Sequence, residues 1–202
     1  MKSGITVTGT GVARVAPDHA LLTVGATALG SSVGQAMAEV DTMVTRLVAT
    51  LRDKGIDEAQ VQTSDLSIWP ETDRNGSPRG FRARNLVTVR MTELTMVGEI
   101  LSAMLGALGD GAEVHGLRFG RDDRSEAEAE ARRLAWTAVD QKAAELANLF
   151  GVTVGKPLAI VESSGAGVHQ PMAKMAMAAG AAPIEPGSTE VSIAITARFA
   201  IG

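Results

Sequence analysis

Strands that alternate, helices that carry an apolar stripe, and turn chemistry between adjoining strands place this 202-residue chain in the α+β class. The clearest alternation is at the carboxyl end, from Glu190 to Gly202. Val191, Ile193, Ile195, Ala197, Phe199 and Ile201 fall on one face there, and Ser192, Thr196 and Arg198 on the other. A period of two marks a strand with one face in a core and one in water. Two long segments with apolar residues at helical spacing, each stopped by Gly plus an apolar residue, supply the helices.

The first strand is expected over Ile5 to Val15, broken by Pro17-Asp18, with a second from His19 to about Ala28. Ser32 and Gln35 have capping-box spacing. The helix that follows carries Val33, Ala36, Met37, Val40, Met43, Val44, Leu47, Val48 and Leu51 as its stripe and stops at Gly55-Ile56. A strand is expected near Val61 to Trp69, then a polar loop from Pro70 to Gly80 with Asn75-Gly76 turn chemistry. The next strand, Phe81 to Met91, turns Phe81, Ala83, Val87, Val89 and Met91 inward and Arg82, Arg84 and Arg90 outward. A short middle helix spans about Leu94 to Leu108.

The second half repeats the pattern: a strand from Glu113 to Phe119, Asp123-x-x-Glu126 as a second capping box, and an Ala-rich helix ending at Phe150-Gly151-Val152. A strand near Leu158 to Val161, a long loop and the closing strand complete it. The expectation is one domain over 1–202, made of two β-α-β-β-like units plus an extra N-terminal strand and the short middle helix. An antiparallel or mixed sheet packs against the long helices, and a flexible or partner-binding loop lies at about 164–188.

Composition narrows the function classes. A formal net charge of −4 argues against nucleic acid as a partner. No apolar run is long enough to span a bilayer, and no signal-peptide pattern is visible. The location expected from the chain as encoded is therefore cytoplasmic, with a periplasmic or secreted protein as the alternative if a leader has been removed. The absence of cysteine excludes disulfides, thiolate nucleophiles and Cys-based zinc sites. With no Tyr, two Trp and four Phe, stacking platforms are hard to assemble.

No set of residues announces catalysis, and neither an enzyme nor a cofactor is expected. Gly9-Thr10-Gly11 lies inside a strand, whereas a phosphate loop needs a following helix N-terminus; in-strand glycines mark a bulge or a close backbone approach. Asp18 and His19 are neighbours, which in a strand points them to opposite faces unless the turn after Pro17 redirects one; the plainer reading is a turn-forming Asp and a strand-end His. His115 is expected as a half-buried structural residue beside Leu117 and Phe119. Glu126, Glu128 and Glu130 ahead of Arg132 and Arg133 suit the helix dipole. Arg82, Arg84 and Arg90 are the candidates for gripping an anion or a partner's carboxylates, against the plainer role of a solvated face. His169, Met172, Met175 and Met177 form a soft donor set of the kind that suits Cu(I), against the plainer role of adaptable loop contacts.

Several stretches resemble one family in consecutive order: Ile5-Thr-Val-Thr-Gly-Thr-Gly11, Val15-Ala-Pro-Asp18, Val61-Gln-Thr-Ser-Asp-Leu-Ser67, Phe81-Arg-Ala-Arg-Asn85, Gly116-Leu-Arg-Phe119, Pro183-Ile-Glu-Pro-Gly187 and Val191-Ser-Ile193. Together they resemble the SIMPL-domain family, which includes periplasmic immunogenic proteins. The resemblance implies an α+β domain, usually exported, that in some members forms large homo-oligomers and is linked to oxidative or envelope stress. It supplies no catalytic residues. The function expected is thus a non-enzymatic, self-assembling structural or stress-related protein. The alternative is a small-molecule or soft-metal binder using the Met-rich loop and the arginine face.

Overall fold

The computed structural model describes residues 4–164 and 184–202. The α+β class holds, with strands paired in two antiparallel sheets. The strands are β1 (Gly4–Val15), β2 (His19–Gly30), β3 (Val61–Thr72), β4 (Pro78–Met91), β5 (Ala112–Gly120), β6 (Val154–Ser164) and β7 (Thr189–Ile201). The helices are α1 (Val33–Asp53), α2 (Val97–Leu108) and α3 (Ser125–Phe150). Among the described residues, no helix is long and apolar enough to cross a membrane.

The described residues divide into two compact units, one comprising 4–17, 121–164 and 187–202, the other 18–120 and 184–186. In the first unit the strand order is β1-β7-β6, with α3 against β1 and β7. β1 and β7 pair along their whole length, from Gly4 opposite Ala200 to Val15 opposite Thr189. The alternation read in the last strand is real: Val191, Ile193, Ile195, Ala197 and Phe199 are all buried. α3 meets this sheet through small residues. Ala127, Ala131, Ala135, Val139, Ala143 and Ala147, one per four positions, are its buried face. Trp136 packs on Phe199 with ring centroids 6.1 Å apart.

Gly9 and Gly11 explain that choice of small side chains. A Cβ on Gly9 would stand 2.4 Å from the Ala135 carbonyl oxygen, and one on Gly11 only 2.0 Å from that of Ala131. The glycines let the helix backbone settle directly on the strand, the close approach that in-strand glycine permits.

In the second unit the order is β3-β4-β2-β5. α1 and α2 cover one face, burying Ala36, Val40, Leu47 and Leu51 with Val97, Ile100 and Met104 against Leu22, Val24, Val87 and Val89. Ser32 accepts from the Gln35 N–H at 3.2 Å, while Gln35 Oε1 reaches back to the N–H and hydroxyl of Ser31. α1 stops as read, with Gly55 at φ +80 and the Ile56 N–H returning to Leu51.

Three local expectations change. The segment Pro70 to Gly80 is mostly strand, and only a tight turn remains, where Asp73 Oδ1 accepts the N–H groups of Asn75 and Ser77. α3 is capped one residue off the expected box: Arg124 holds the cap position, and Asp123 Oδ1 takes the Ser125 N–H at 3.0 Å. The repeat also pairs differently. β2, α1, β3 and β4 form one β-α-β-β set, in sheet order β2-β4-β3. The matching order β1-β7-β6 takes its first strand from the amino terminus, so β5 is the added strand rather than β1.

Candidate functional site

β4 presents Arg82, Arg84 and Arg90 on the face opposite its buried residues Ala83, Asn85, Val87, Val89 and Met91. Pairing with β3 sets Trp69 beside Arg82 and Ser67 beside Arg84. Arg82 and Arg84 each hold a carboxylate of β3. Arg82 grips Glu71 with both Nε and Nη2, the latter at 2.7 Å. This bidentate hydrogen bond holds the Glu71 carboxyl below the usual carboxylate range and raises Arg82. Arg84 donates to Asp65 at 3.1 Å, and its guanidinium carbon lies 5.5 Å from the centre of the Trp69 ring. Asp65 is held in turn by the Ser67 hydroxyl at 3.1 Å. Arg90 shares the face, opposite Leu21 of β2.

The acids were not singled out from the sequence. Their signal was present: Glu71 and Arg82 flank the Asp73–Ser77 turn, and a tight hairpin returns such residues to each other across the ladder. An anion visiting this face must displace Glu71 or Asp65 to reach Arg82 or Arg84.

Of the two described histidines, His19 takes the exception that a turn allows, and His115 differs from expectation. Asp18 and His19 do meet, Oδ1 to Nδ1 at 2.7 Å, because Asp18 sits in the bend before β2 and escapes the pleat. His19 is buried, and the ring edge carrying Nε2 lies against Gly120. His115 is exposed rather than half-buried beside Leu117 and Phe119. The β2–β5 register slips at Thr23/Val24, which takes His115 out of the regular alternation and leaves its Nε2 3.1 Å from Glu113. It borders a shallow depression of about 290 Å³ that also includes Thr23, Thr88 and Arg118. The soft donors His169, Met172, Met175 and Met177 lie outside the described residues.

A second surface, in the other unit, was not read from the sequence at all. Among the described residues β6 ends its sheet, and its residues from Val154 to Ser163 are exposed. Leu158, Ile160 and Val161 keep 50%, 56% and 62% of their surface in water. Leu149 and Phe150, at the end of α3, are more exposed still. Arg132 of α3 anchors the strand through a bidentate bond to Glu162 at 2.7 and 2.9 Å, which lowers the Glu162 carboxyl. The apolar run Leu158 to Val161 signals a buried strand. Only knowledge of strand order shows that it stands at an edge.

Comparison with known proteins gives a consistent family. The chain is similar to the 26 kDa periplasmic immunogenic protein of Brucella melitensis, 28% identical over 214 residues, covering 98% of this chain and 84% of that one. The protein of the same description from Brucella abortus matches with the same identity and coverage. The uncharacterized protein YggE of Edwardsiella ictaluri is 27% identical over 155 residues, 75% of this chain and 64% of that one. Residues 5–199 match the family described as SIMPL, protein of unknown function (DUF541). The chain therefore belongs to the SIMPL family.

Proposed function

We propose that the chain acts as one non-catalytic SIMPL domain over 1–202 that self-associates, in a structural or stress-related role at the cell envelope. One observation carries the self-association: apolar side chains stand exposed on β6, at Leu158, Ile160 and Val161, and at the end of α3, at Leu149 and Phe150. Single exposed aliphatics are ordinary, but an apolar run on an open strand edge invites pairing with another chain. The acidic net charge and the scarcity of rings leave a protein surface as the better match for it than nucleic acid or sugar.

The non-catalytic assignment draws support from the histidines. His19 is buried with Nδ1 taken by Asp18, and His115 stands on an open face beside Glu113. The ligand-binding alternative draws less support, since Arg82 and Arg84 already hold carboxylates. A periplasmic location, the alternative to the cytoplasmic one read from the sequence, is favoured because both Brucella relatives are described as periplasmic.

Light scattering on the purified chain across a micromolar concentration series tests the proposal. A mass that rises to a fixed multiple of the chain supports it. A monomer throughout, at high micromolar concentration, removes it.

A further inference from the structure

We propose that the hollow on the sheet face opposite α1 and α2 binds a small hydroxylated acid, one with hydroxyl groups beside its carboxylate. The inference stands apart from the self-association proposed above and uses other residues. Leu21, Thr23, Thr88, His115, Gly116 and Arg118 line the hollow, and all belong to one unit. Leu21, Thr23 and Thr88 alternate with the buried Leu22, Val24, Val87 and Val89, so they face away from the helices. The space has two local causes. Gly116, opposite Thr23 in the ladder, brings no side chain, and a Cβ there would meet nothing within 4 Å. The register slip at Thr23/Val24 sets His115 at the border, with Nε2 turned to Glu113. A volume of about 290 Å³ is at the small end of the range for ligand sites.

The hydroxyls at its floor have fixed roles. Ser64 donates to the Leu86 carbonyl at 3.3 Å, and a carbonyl can only accept. With its proton committed, Ser64 Oγ accepts from the Thr88 hydroxyl at 3.2 Å. That uses the Thr88 proton, so in the 2.9 Å contact between Thr23 and Thr88 the donor is Thr23. Each hydroxyl carries a single proton, and all three are spent in a relay that ends on the backbone. Among the described residues, no other hydrogen bond engages the Thr23 hydroxyl. Its oxygen therefore offers the hollow lone pairs only, and a ligand must bring an O–H or N–H to it.

Charge sets the other half of the recognition. Arg118 is exposed at the rim, opposite Leu21, and among the described residues no ion pair or hydrogen bond holds its guanidinium. Arg90 stands opposite Leu21 on the other side, so the two cations spring from backbones two strand spacings, about 10 Å, apart. Glu113 is turned to His115 and does not line the hollow. A guanidinium takes a carboxylate through two parallel N–H···O bonds. An ammonium group would also satisfy Thr23, but it would add positive charge beside Arg118 and Arg90. A hydroxyl next to a carboxylate satisfies the accepting floor and the cationic rim together.

Equilibrium dialysis of radiolabelled gluconate against the full chain tests the site, and it reads binding whether or not the chain assembles. Unlabelled hexanoate, which has the charge without hydroxyls, and sorbitol, which has hydroxyls without the charge, serve as competitors. Each should compete at least about threefold more weakly than unlabelled gluconate, the loss expected for one hydrogen bond. Arg118→Gln should weaken gluconate binding at least about tenfold, as loss of a charge-assisted bond does. Arg74→Gln, in the turn between β3 and β4, should leave it unchanged. Thr88→Val releases the Thr23 proton to donate, so hexanoate should then approach gluconate in strength. Wild type that takes up no gluconate at millimolar concentration overturns the proposal. So does hexanoate that competes as well as gluconate on wild type, or an Arg118→Gln protein that binds as Arg74→Gln does. A Thr88→Val protein that keeps the full preference for gluconate overturns the accepting role of Thr23.

Discussion

Gly11→Ala should be among the most damaging single-methyl additions in the protein. The new Cβ would lie 2.0 Å from the Ala131 carbonyl oxygen, 2.4 Å from the Ala135 nitrogen and 2.8 Å from Leu134 Cβ. The first two are backbone atoms in the middle of α3 and have no rotamer to escape into. Non-bonded contact needs about 3.5 Å, so the helix must retreat by about 1.5 Å, enough to forfeit most of the local dispersion contact. The residues losing that contact, Ala131, Ala135 and Val139, are completely buried. Overpacking typically costs about 1–3 kcal/mol, and backbone clashes place this case at the upper end. Reduced freedom of the unfolded chain returns about 0.4–1 kcal/mol, leaving roughly 2–3 kcal/mol net. For a chain this long that is a fall in Tm of about 4–12 °C. The assay is thermal unfolding followed by Trp136 fluorescence in a Trp69→Phe background, so that the signal comes from α3 itself. Gly106→Ala is the control: a Cβ there meets nothing within 4 Å, and the helix gains about 0.5–1 kcal/mol. If Gly11→Ala unfolds within about 1 kcal/mol of wild type, the helix does not rest on the glycines as described.

Other expectations follow from the same geometry. Glu71→Gln should destabilise the protein near neutral pH, and the gap should close in acid. The Glu71 carboxyl is held below its ordinary value by Arg82, so its contribution is full above the ordinary carboxylate range and disappears as pH falls through the lowered value. A gap between the two melting curves that does not change with pH would contradict this. Leu47→Ala, at a side chain with no exposure, should cost about 2–5 kcal/mol in chemical denaturation; a loss below about 1 kcal/mol would deny the α1 core its place. Ile160→Lys should leave the melting temperature within a few degrees of wild type, since the side chain is largely solvated, while reducing the assembled mass. A variant that melts much lower would show Ile160 to be a core residue.

The local grammar of this fold was legible because short-range rules govern it. Alternation located β7 to within a residue, and the Gly55-Ile56 stop fixed the end of α1. In-strand glycines mark a bulge or a close approach, and of the two it is the close approach that holds, with α3 as what approaches. What failed was set by pairing between distant segments. No local signal says that β1 joins β7, about 180 residues away, or that β5 joins β2. For the same reason the arginine row was visible but Glu71 and Asp65, which hold two of its members, were not sought across the hairpin. His115 was misread because a bulge in β5 cannot be seen in an alternation count. The β6 surface was hidden for a different reason: an apolar run looks alike whether a neighbour covers it or not.

Sedimentation velocity of wild type beside Ile160→Lys, from low to high micromolar concentration, bears most directly on the proposed self-association. Wild type should sediment as a discrete multiple of the 20.9 kDa chain, and the variant as a smaller species with an unchanged circular dichroism spectrum. Wild type at 20.9 kDa at every concentration, or a variant that sediments as wild type does, would contradict the account.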